Sequence, residues 1–290
     1  MKKILLQLDS DRAPSVFDAV TAYDAGVDVL LQYGGVAPEE VRDLVYGEMF
    51  TRGPADLKNS AVFIGGTDVG TGEAMLAEAK GAFFGPVSVS VMLDSRGCNT
   101  TSASAVVKLT SAGDVAGRKV VVLAGTGPVG RRAAGLLALE GADVTIAETL
   151  PTDTLARAEA ACAAVAERFG VSVTPAAAAG VDAVAAVLEG AEAVLCTGAA
   201  GIELIPEELW RTHGSLRVLA DVNAVPPLGV AGAKATWNGE DVDGKLVYGA
   251  LGIGGLKMSV HKRSIARLFE SNDLVLDAEG IFESARELSG

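Results

Sequence analysis

The chain has 290 residues, which is enough for one large or two ordinary domains with a substantial core. It is 49% hydrophobic but only 5% aromatic, and this composition is typical of a helix-covered parallel sheet rather than a β-sandwich. The formal net charge of −13 argues against partners such as nucleic acid or an anionic membrane. No run of 18 apolar residues and no signal-peptide pattern is present, so we expect a cytoplasmic protein.

The first hundred residues alternate strand and helix patterns. The strand patterns cover residues 3–8, 27–31, 61–64 and 87–93, and the helical patterns between them cover 14–26, 38–46 and 72–80. This α/β segment has no glycine fingerprint of its own, so its ligand is expected to be something other than a dinucleotide. Its last strand ends in a polar loop, 94–101, which contains Asp94, Asn99, Thr100 and Thr101. Ligands gather at such carboxyl ends in open parallel sheets.

A glycine-rich turn between a strand and a helix organises the rest of the chain. The apolar run 119–124 predicts a buried strand, and helical spacing follows up to Gly141. Between them lies a G-x-G-x-x-G sequence made of Gly125, Thr126, Gly127, Pro128, Val129 and Gly130. In the dinucleotide fingerprint these glycines allow a tight turn, approach of a pyrophosphate and close helix packing. The order strand, turn, helix therefore predicts a Rossmann-type domain.

The next predicted strand, 142–147, ends at Glu148, followed by Thr149. A carboxylate about 20 residues after the glycines is where a ribose-binding residue belongs. After a long Ala-rich helix over 153–169, further strands are predicted over 171–174, 193–197, 218–222 and 246–250, with a helix over 181–188. The ends of these later strands place Thr197, Gly198, Asn223 and Gly254 as further coenzyme-binding candidates.

The remaining polar residues exclude some chemistries. Cys98, Cys162 and Cys196 are odd in number and widely spaced, which fits neither a disulfide framework nor a zinc site. His213 and His261 are the only histidines, so no histidine-based metal site or triad is expected. Both are interpreted as solvated or singly hydrogen-bonded residues at helix ends. Arg131 and Arg132 are interpreted chiefly as a solvated helix face.

The chain resembles the bacterial methylene-tetrahydromethanopterin dehydrogenases, which are related in architecture to methylene-tetrahydrofolate dehydrogenases. The resemblance covers nearly the whole length, and its most specific parts are VVLAGTGPVG, NAVPPLG and GALGIGGLK. All the segments that carry it are 14–18, 50–53, 83–86, 99–101, 121–130, 223–229 and 249–257. It implies an NAD(P)-dependent oxidoreductase that moves a hydride from a methylene group on a reduced pterin and leaves the methenyl form.

The resemblance also implies a division of labour along the chain. Residues 1–114, completed by 257–290, would form an α/β pterin domain, and 115–256 a doubly wound Rossmann domain. Lys257 follows the last glycine run, in a predicted loop, and would orient the pterin or act on it electrostatically. The N-T-T segment, Asn99 to Thr101, would supply polar groups to the substrate, or else cap a helix. Asp18 or Asp94 would read the amino-pyrimidine edge of the pterin.

The residues favour NAD over NADP. NADP-using members carry a Gly-Arg-type pair at the end of the second strand, whereas this chain has Glu148 and Thr149 there. A carboxylate repels the 2′-phosphate of NADP by a few kcal/mol at an effective dielectric of about 20. No arginine stands close in sequence to offset this, since Arg157 lies two turns into the next predicted element. We therefore expect a preference for NAD of about tenfold or more.

Two other classes of protein remain open at the level of sequence. A shikimate-type hydroxy-acid dehydrogenase would share the two-domain plan but needs a proton relay, for which Lys58 and Asp56 are unconvincing candidates. A non-catalytic dinucleotide sensor would have no use for GALGIGGLK or the N-T-T segment. The identity of the pterin carrier, tetrahydromethanopterin or tetrahydrofolate, is not fixed by these motifs. The apolar composition favours a homo-oligomer.

Overall fold

The computed structural model describes residues 1–289, which divide into two compact units. Unit 1 comprises residues 1–100 and 258–288, and unit 2 comprises residues 101–257 together with Ser289. Both units are α/β, and each is built on a mostly parallel sheet. The predicted fold class, with a Rossmann-type parallel sheet, is confirmed.

Unit 1 begins with strands and helices in strict alternation. The elements are β1 (Ile4–Asp9), α1 (Val16–Asp24), β2 (Val29–Gly34), α2 (Pro38–Met49), β3 (Ser60–Gly65), α3 (Val69–Gly81) and β4 (Ser90–Leu93). Short 3₁₀ helices span Pro54–Asn59 and Ser95–Gly97. The helix α4 (Cys98–Thr110) then carries the chain into unit 2.

In unit 2 the strand that precedes the glycine turn is an interior strand of a seven-stranded sheet. Its elements are β5 (Lys119–Leu123), α5 (Pro128–Leu139), β6 (Asp143–Glu148), α6 (Thr154–Phe169), β7 (Thr174–Ala177), α7 (Val181–Leu188), β8 (Ala193–Cys196), α8 (Glu207–Thr212), β9 (Val218–Asp221), β10 (Asn238–Val242) and β11 (Lys245–Tyr248). The described strands lie in the order β10-β11-β9-β8-β5-β6-β7, and all pairings except β10 with β11 are parallel.

The chain then returns to unit 1 through α9 (Ala250–Arg267), β12 (Val275–Leu276) and α10 (Ala278–Glu287). β12 pairs in parallel with β4 and completes the unit 1 sheet, whose described strands lie in the order β12-β4-β3-β1-β2. β3 and β4 are buried at every position, as expected for central strands covered by helices on both faces. Because β1, β3 and β4 run in parallel, their carboxyl ends share one edge of the sheet.

Three element predictions were wrong for identifiable reasons. The strand predicted over 171–174 lies at 174–177, where a proline and alanines hide an edge strand from pattern analysis. The polar loop 94–101 ends early, because α4 already begins at Cys98. The glycine run before Lys257 is the first part of α9 rather than a loop, and glycine is needed there because a Cβ at Gly252 would collide with the Trp237 carbonyl oxygen. The polar strand β10 and the two-residue strand β12 were not predicted.

A buried carboxyl group lies at the other edge of the unit 1 sheet. Glu48, in the last turn of α2, is only 8% exposed, and burial raises its pKa to about 8, with Arg52 and Ser60 nearby offsetting this only in part. In the unfolded chain the same group titrates near 4.5. Between these values the folded protein holds one proton more than the unfolded chain, so stability falls as the pH rises through this window.

We expect the free energy of unfolding to decline by about 1.4 kcal/mol per pH unit from this group alone across most of that window. Glu48→Gln keeps the shape of the side chain and removes the titration, so its stability should decline less steeply with pH. Urea unfolding of both proteins at a series of pH values measures the difference. Parallel stability curves for the two proteins would contradict this assignment.

Candidate functional site

The glycine turn of unit 2 contains two glycines that are tightly surrounded by protein atoms and one that faces open space. A Cβ at Gly125 would lie 2.7 Å from the Val122 carbonyl oxygen, and a Cβ at Gly130 would lie 2.5 Å from the Gly125 backbone. A Cβ at Gly127 would meet no protein atom within 4 Å. Gly125 and Gly130 therefore allow the turn and the helix to pack, whereas Gly127 leaves its backbone accessible to a ligand.

Gly127 is also the N-cap residue of α5, with Pro128 at the first helical position. The first turn of a helix has backbone N–H groups without helical acceptors and carries a partial positive charge, which suits a phosphate. A side chain at Gly127 would occupy the space next to these groups. The residues present therefore fit the pyrophosphate of a dinucleotide.

Glu148, the last residue of β6, is buried and fully hydrogen-bonded. Its Oε1 accepts from the backbone N–H of Thr149 at 2.7 Å and of Leu150 at 3.0 Å. Its Oε2 accepts from the Thr126 hydroxyl at 2.6 Å and from Arg157 Nε at 3.1 Å. Burial would raise the pKa of Glu148, but these hydrogen bonds outweigh burial and hold the pKa below its usual value. The group is therefore an ionised carboxylate whose roughly four acceptor positions are in use.

Arg157 forms an ion pair with Glu148, although no arginine was expected near this carboxylate from the sequence. The side chain of Glu148 is 3% exposed and that of Arg157 is 49% exposed. Residues 149–153 turn the chain back, with Asp153 in the left-handed region at φ 50°, so that α6 brings Arg157 to the carboxylate. The guanidinium is half-exposed and screened by water, and Glu148 keeps three other hydrogen bonds when Arg157 turns away.

The later strand ends of unit 2 serve mainly to fix the loops that follow them. The Thr197 hydroxyl donates to the Leu123 and Ala124 carbonyl oxygens, at 3.2 and 3.1 Å, and so ties the end of β8 to the end of β5. The Asn223 side chain donates to the Pro227 carbonyl oxygen and accepts from the Val225 N–H. A Cβ at Gly198 would lie 3.0 Å from Leu204, whereas Gly254, in α9, is open.

Asp221 was missed in the sequence. It ends β9, is 2% exposed, and accepts from the N–H groups of Asn223 at 2.9 Å and Val230 at 3.2 Å. Burial raises the pKa of its carboxyl group despite these bonds. The only sequence signal was an aspartate at a predicted strand end, and its bonds are those of a residue that shapes the NAVPPLG loop.

In unit 1, Asp94 fixes the start of α4. Its Oδ1 accepts from the N–H groups of Asn99 at 2.9 Å and Thr100 at 3.0 Å, and its Oδ2 accepts from the Thr100 hydroxyl at 2.6 Å. The Asn99 side chain donates to the Leu93 carbonyl oxygen at 2.5 Å. Asn99 and Thr100 are buried, and these are the bonds of a helix cap, the second role foreseen for the N-T-T segment. Thr101 is half-buried.

His261 is not the residue at a helix end that the sequence predicted. It lies inside α9 rather than at a helix end, and it is 1% exposed. Its ring stacks on Phe63, with centroids 5.6 Å apart. Its Nε2 lies 3.7 Å from Asp18 Oδ1, and its Nδ1 lies 3.9 Å from Asp94 Oδ2. The two carboxylates named as candidates from the sequence are therefore gathered around one buried imidazole.

Lys257 is half-buried and lies on α9 one helical turn before His261, so the two side chains leave the helix on the same side.

Arg132 is buried, with Nη1 donating to the Pro128 carbonyl oxygen at 3.3 Å, so the prediction of a solvated face was wrong for this residue. Among the described residues, no group of three or more His, Cys, Asp or Glu side chains is arranged to hold a metal ion. Nor does any helix in residues 1–289 combine the length and apolarity needed to cross a membrane.

Comparison with known proteins finds similarity over the whole chain. Residues 16–96 match the family described as "Methylene-tetrahydromethanopterin dehydrogenase, N-terminal". The chain is 47% identical over 290 residues to the "Bifunctional protein MdtA" of Methylorubrum extorquens, covering 99% of both chains. It is 32% identical over 300 residues to the "NAD(P)-dependent methylenetetrahydromethanopterin dehydrogenase" of the same organism, covering 100% of this chain and 99% of the relative.

Solved structures show the fold at much lower sequence identity. A shikimate 5-dehydrogenase from Listeria monocytogenes, in complex with shikimate and NAD, aligns with a TM-score of 0.53 at 13% identity, covering 99% of this chain and 96% of that one. A second one, from Mycobacterium fortuitum, aligns with a TM-score of 0.52 at 17% identity, covering 98% of both chains. These likenesses concern the architecture alone.

Proposed function

This chain belongs to the methylene-tetrahydromethanopterin dehydrogenase family, and we propose from that membership which of its residues serve the reaction. It is an oxidoreductase that uses NAD(P) to oxidise the methylene group carried on tetrahydromethanopterin to the methenyl form. The observation that carries this function is sequence identity along the full length of both relatives, which includes both units.

The shikimate-type alternative is not favoured, because the residues proposed to accept its substrate's hydroxyl proton lie in an unsuitable place. A hydroxy-acid dehydrogenase needs a group that accepts the hydroxyl proton. The candidates that the sequence offered for it, Lys58 and Asp56, are exposed in the 3₁₀ helix that precedes β3, away from the carboxyl ends of the strands. A non-catalytic sensor is not favoured either, because both relatives cover the whole chain and one is named as a dehydrogenase.

A direct assay tests the function. The purified protein is incubated with methylene-tetrahydromethanopterin, methylene-tetrahydrofolate or shikimate, each with NAD or NADP, and nicotinamide absorbance is followed. We expect reduction of the coenzyme with a methylene-tetrahydropterin and none with shikimate. Turnover of shikimate alone would contradict the proposal. The two pterin arms identify the carrier, for which tetrahydromethanopterin is expected from the name of one relative and of the matching family.

The chemistry requires positioning more than proton transfer. Loss of hydride from a methylene carbon flanked by two nitrogens gives a resonance-stabilised cation, so no proton leaves the reacting carbon. The nicotinamide, when bound, accepts that hydride. The protein has to hold the two partners in the reactive geometry and exclude water from them. A site of this kind needs no catalytic histidine relay.

We assign coenzyme binding to the glycine turn and the end of β6. The open backbone at Gly127 and the first turn of α5 receive the pyrophosphate, while Gly125 and Gly130 shape the turn. The carboxylate of Glu148 receives the adenosine ribose at the Oε2 position that Arg157 occupies in the free protein, while Thr126 and Thr149 hold that carboxylate. Pro128, Val129, Thr197, Gly198, Asn223 and Gly254 complete the proposed coenzyme set.

We assign pterin binding to residues at the carboxyl edge of unit 1 and on α9. Asp18 accepts from the amino-pyrimidine edge, and Lys257 contacts the pterin as an orienting or electrostatic residue. Asp94, Asn99 and Thr100 support this edge through their mutual hydrogen bonds, and Thr101 adds a hydroxyl group. Nothing in this set requires a metal ion.

Arg157 modifies the expected choice of coenzyme. Glu148 alone would repel the 2′-phosphate of NADP. The half-exposed guanidinium of Arg157 beside it carries a positive charge that can turn from the carboxylate to this phosphate. We propose that the enzyme uses both coenzymes and prefers NAD, by less than the tenfold expected from the carboxylate alone.

We expect Arg157→Ala to raise the KM for NADP about tenfold or more, since it removes a charge-assisted contact, and to leave the KM for NAD nearly unchanged. Arg157→Lys keeps the charge and should lose less. Steady-state kinetics with both coenzymes measures the effect. An equal change for NAD and NADP would show that Arg157 only supports Glu148. A wild-type enzyme that prefers NADP would contradict the proposed preference.

We propose a homo-oligomer with an interface on α1. Val16, Val20 and Tyr23 are spaced four and three residues apart and form an exposed apolar stripe along this helix. Val20→Glu is expected to lower the molar mass measured by light scattering after size exclusion, and a monomeric wild-type protein would refute the idea.

We place the protein in the cytoplasm, consistent with three cysteines that are buried and unbridged.

A further inference from the structure

His261 lies between two carboxylates that differ in exposure. Asp94 has no exposed side-chain surface and is fixed by three hydrogen bonds from Asn99 and Thr100 at the start of α4. The side chain of Asp18 is 16% exposed. A Cβ at Gly65, the last residue of β3, would lie 3.7 Å from Asp18 Oδ2. The second oxygen of Asp18 therefore lies at the carboxyl edge of the sheet, while the first faces His261.

The chemistry of imidazole decides what this connection requires. A neutral imidazole has one N–H donor, so it can donate to only one of the two carboxylates. An imidazolium has two N–H donors on opposite sides of the ring and can serve both. The ring is stacked on Phe63 at an interplanar angle of 16°, and each of its nitrogens lies within 4 Å of one of the two carboxylates.

We propose that His261, in its imidazolium form, is a positioning residue that links the fixed Asp94 to Asp18 and so sets the Asp18 carboxylate to receive the pterin. This rests on the proposed function. An amino-pyrimidinone ring presents two neighbouring N–H donors, and a carboxylate accepts both only when its plane is oriented toward them. The link through His261 supplies that orientation before the substrate arrives.

The charged groups around His261 lie on several elements. Asp18 reaches the ring from α1 and Asp94 from the end of β4. Asp9, at the end of β1, is buried close to Gly65 and accepts from the N–H groups of Asp11 and Ser15. On α9 itself, Lys257 lies one turn earlier. A neutral ring has one N–H donor and therefore leaves one of these two carboxylates without a hydrogen bond from it.

The test compares the wild type with His261→Phe, which keeps an aromatic ring against Phe63 but has no donors. We expect the KM for the methylene-tetrahydropterin to rise about tenfold or more at pH 6, with kcat much less affected. Coenzyme affinity, measured by calorimetry, should stay within about twofold. The wild-type pterin KM should rise with pH toward that of the variant, whose own KM should hardly change over the same range.

His213→Phe provides the matched control, because His213 lies in unit 2 beside Ser215 and should leave the pterin KM and its pH dependence unchanged. A wild-type pterin KM in a folded His261→Phe protein would overturn the inference. So would equal losses in pterin binding, coenzyme binding and thermal stability, which indicate only a packing role. A wild type that oxidises no methylene-tetrahydropterin would instead refute the proposed function itself.

If His261→Phe does not fold, a double-mutant cycle with Asp18→Asn and His261→Gln carries the test. Each single change should raise the pterin KM. The double variant should be little worse than Asp18→Asn alone, because His261 acts through that carboxylate. Additive losses would overturn the proposed link.

Discussion

Gly127→Val is expected to abolish coenzyme binding while the protein stays folded. The valine side chain would occupy the space beside the first turn of α5, where the pyrophosphate is proposed to lie. Its Cβ meets no protein atom within 4 Å, and the backbone angles at this position, φ −76° and ψ 173°, suit any residue. Valine is a poorer N-cap residue than glycine, so a loss of about 1 kcal/mol in stability is expected. Isothermal titration with NAD and NADP measures the binding.

Two matched glycine variants make the result interpretable. Gly214→Val introduces the same side chain at another open, exposed glycine of unit 2 and should alter neither affinity nor stability. Gly130→Ala adds a Cβ that would lie 2.5 Å from the Gly125 backbone, so it should lower the melting temperature markedly. Undiminished coenzyme affinity in a folded Gly127→Val protein would show that the dinucleotide binds elsewhere.

Lys257→Ala is expected to lower kcat/KM for the methylene-tetrahydropterin by about 10²-fold, the usual loss for one well-placed polar contact to a reacting substrate. Because hydride transfer releases no proton, the variant should show no new pH dependence. Coenzyme affinity should remain close to that of the wild type, since Lys257 is assigned to the pterin. Steady-state kinetics over a range of pH, together with calorimetry for the coenzyme, measures these quantities.

Lys262→Ala serves as the control on the same helix. Lys262 Nζ lies 3.3 Å from Asp24 in an exposed ion pair, which contributes about 1 kcal/mol or less. Its removal should leave kcat/KM unchanged. Wild-type turnover and pterin KM in Lys257→Ala would show that Lys257 does not act on the pterin.

The features that sequence predicted best are local ones. The strand, glycine turn and helix around Gly127 lie within about 20 residues, and the physical requirement for each glycine can be read from its position. Glu148 was placed at the end of β6 because the strand that carries it is apolar and short. The Rossmann-type architecture followed from the repetition of such strand and helix patterns.

The features that sequence missed depend on tertiary contacts. Arg157 reaches Glu148 only because residues 149–153 reverse the chain through a left-handed residue, which no local pattern signals. His261 meets Asp18 and Asp94 across the fold of unit 1, so a lone histidine in a helical pattern gave no sign of its partners. The start of α9 was predicted as a loop because glycines favour loops, but the close approach of the Trp237 carbonyl oxygen requires glycine at position 252 of this helix.

The return of the chain to unit 1 has a consequence for biosynthesis. A ribosome delivers residues 101–257 before residues 258–288, so unit 2 is complete while the unit 1 sheet still lacks β12 beside β4. Until the part of α9 that carries His261 emerges, Asp18 and Asp94 have no imidazole between them, and Phe63 lacks the ring that stacks on it. The nascent chain should therefore be able to bind its coenzyme before it can bind its pterin.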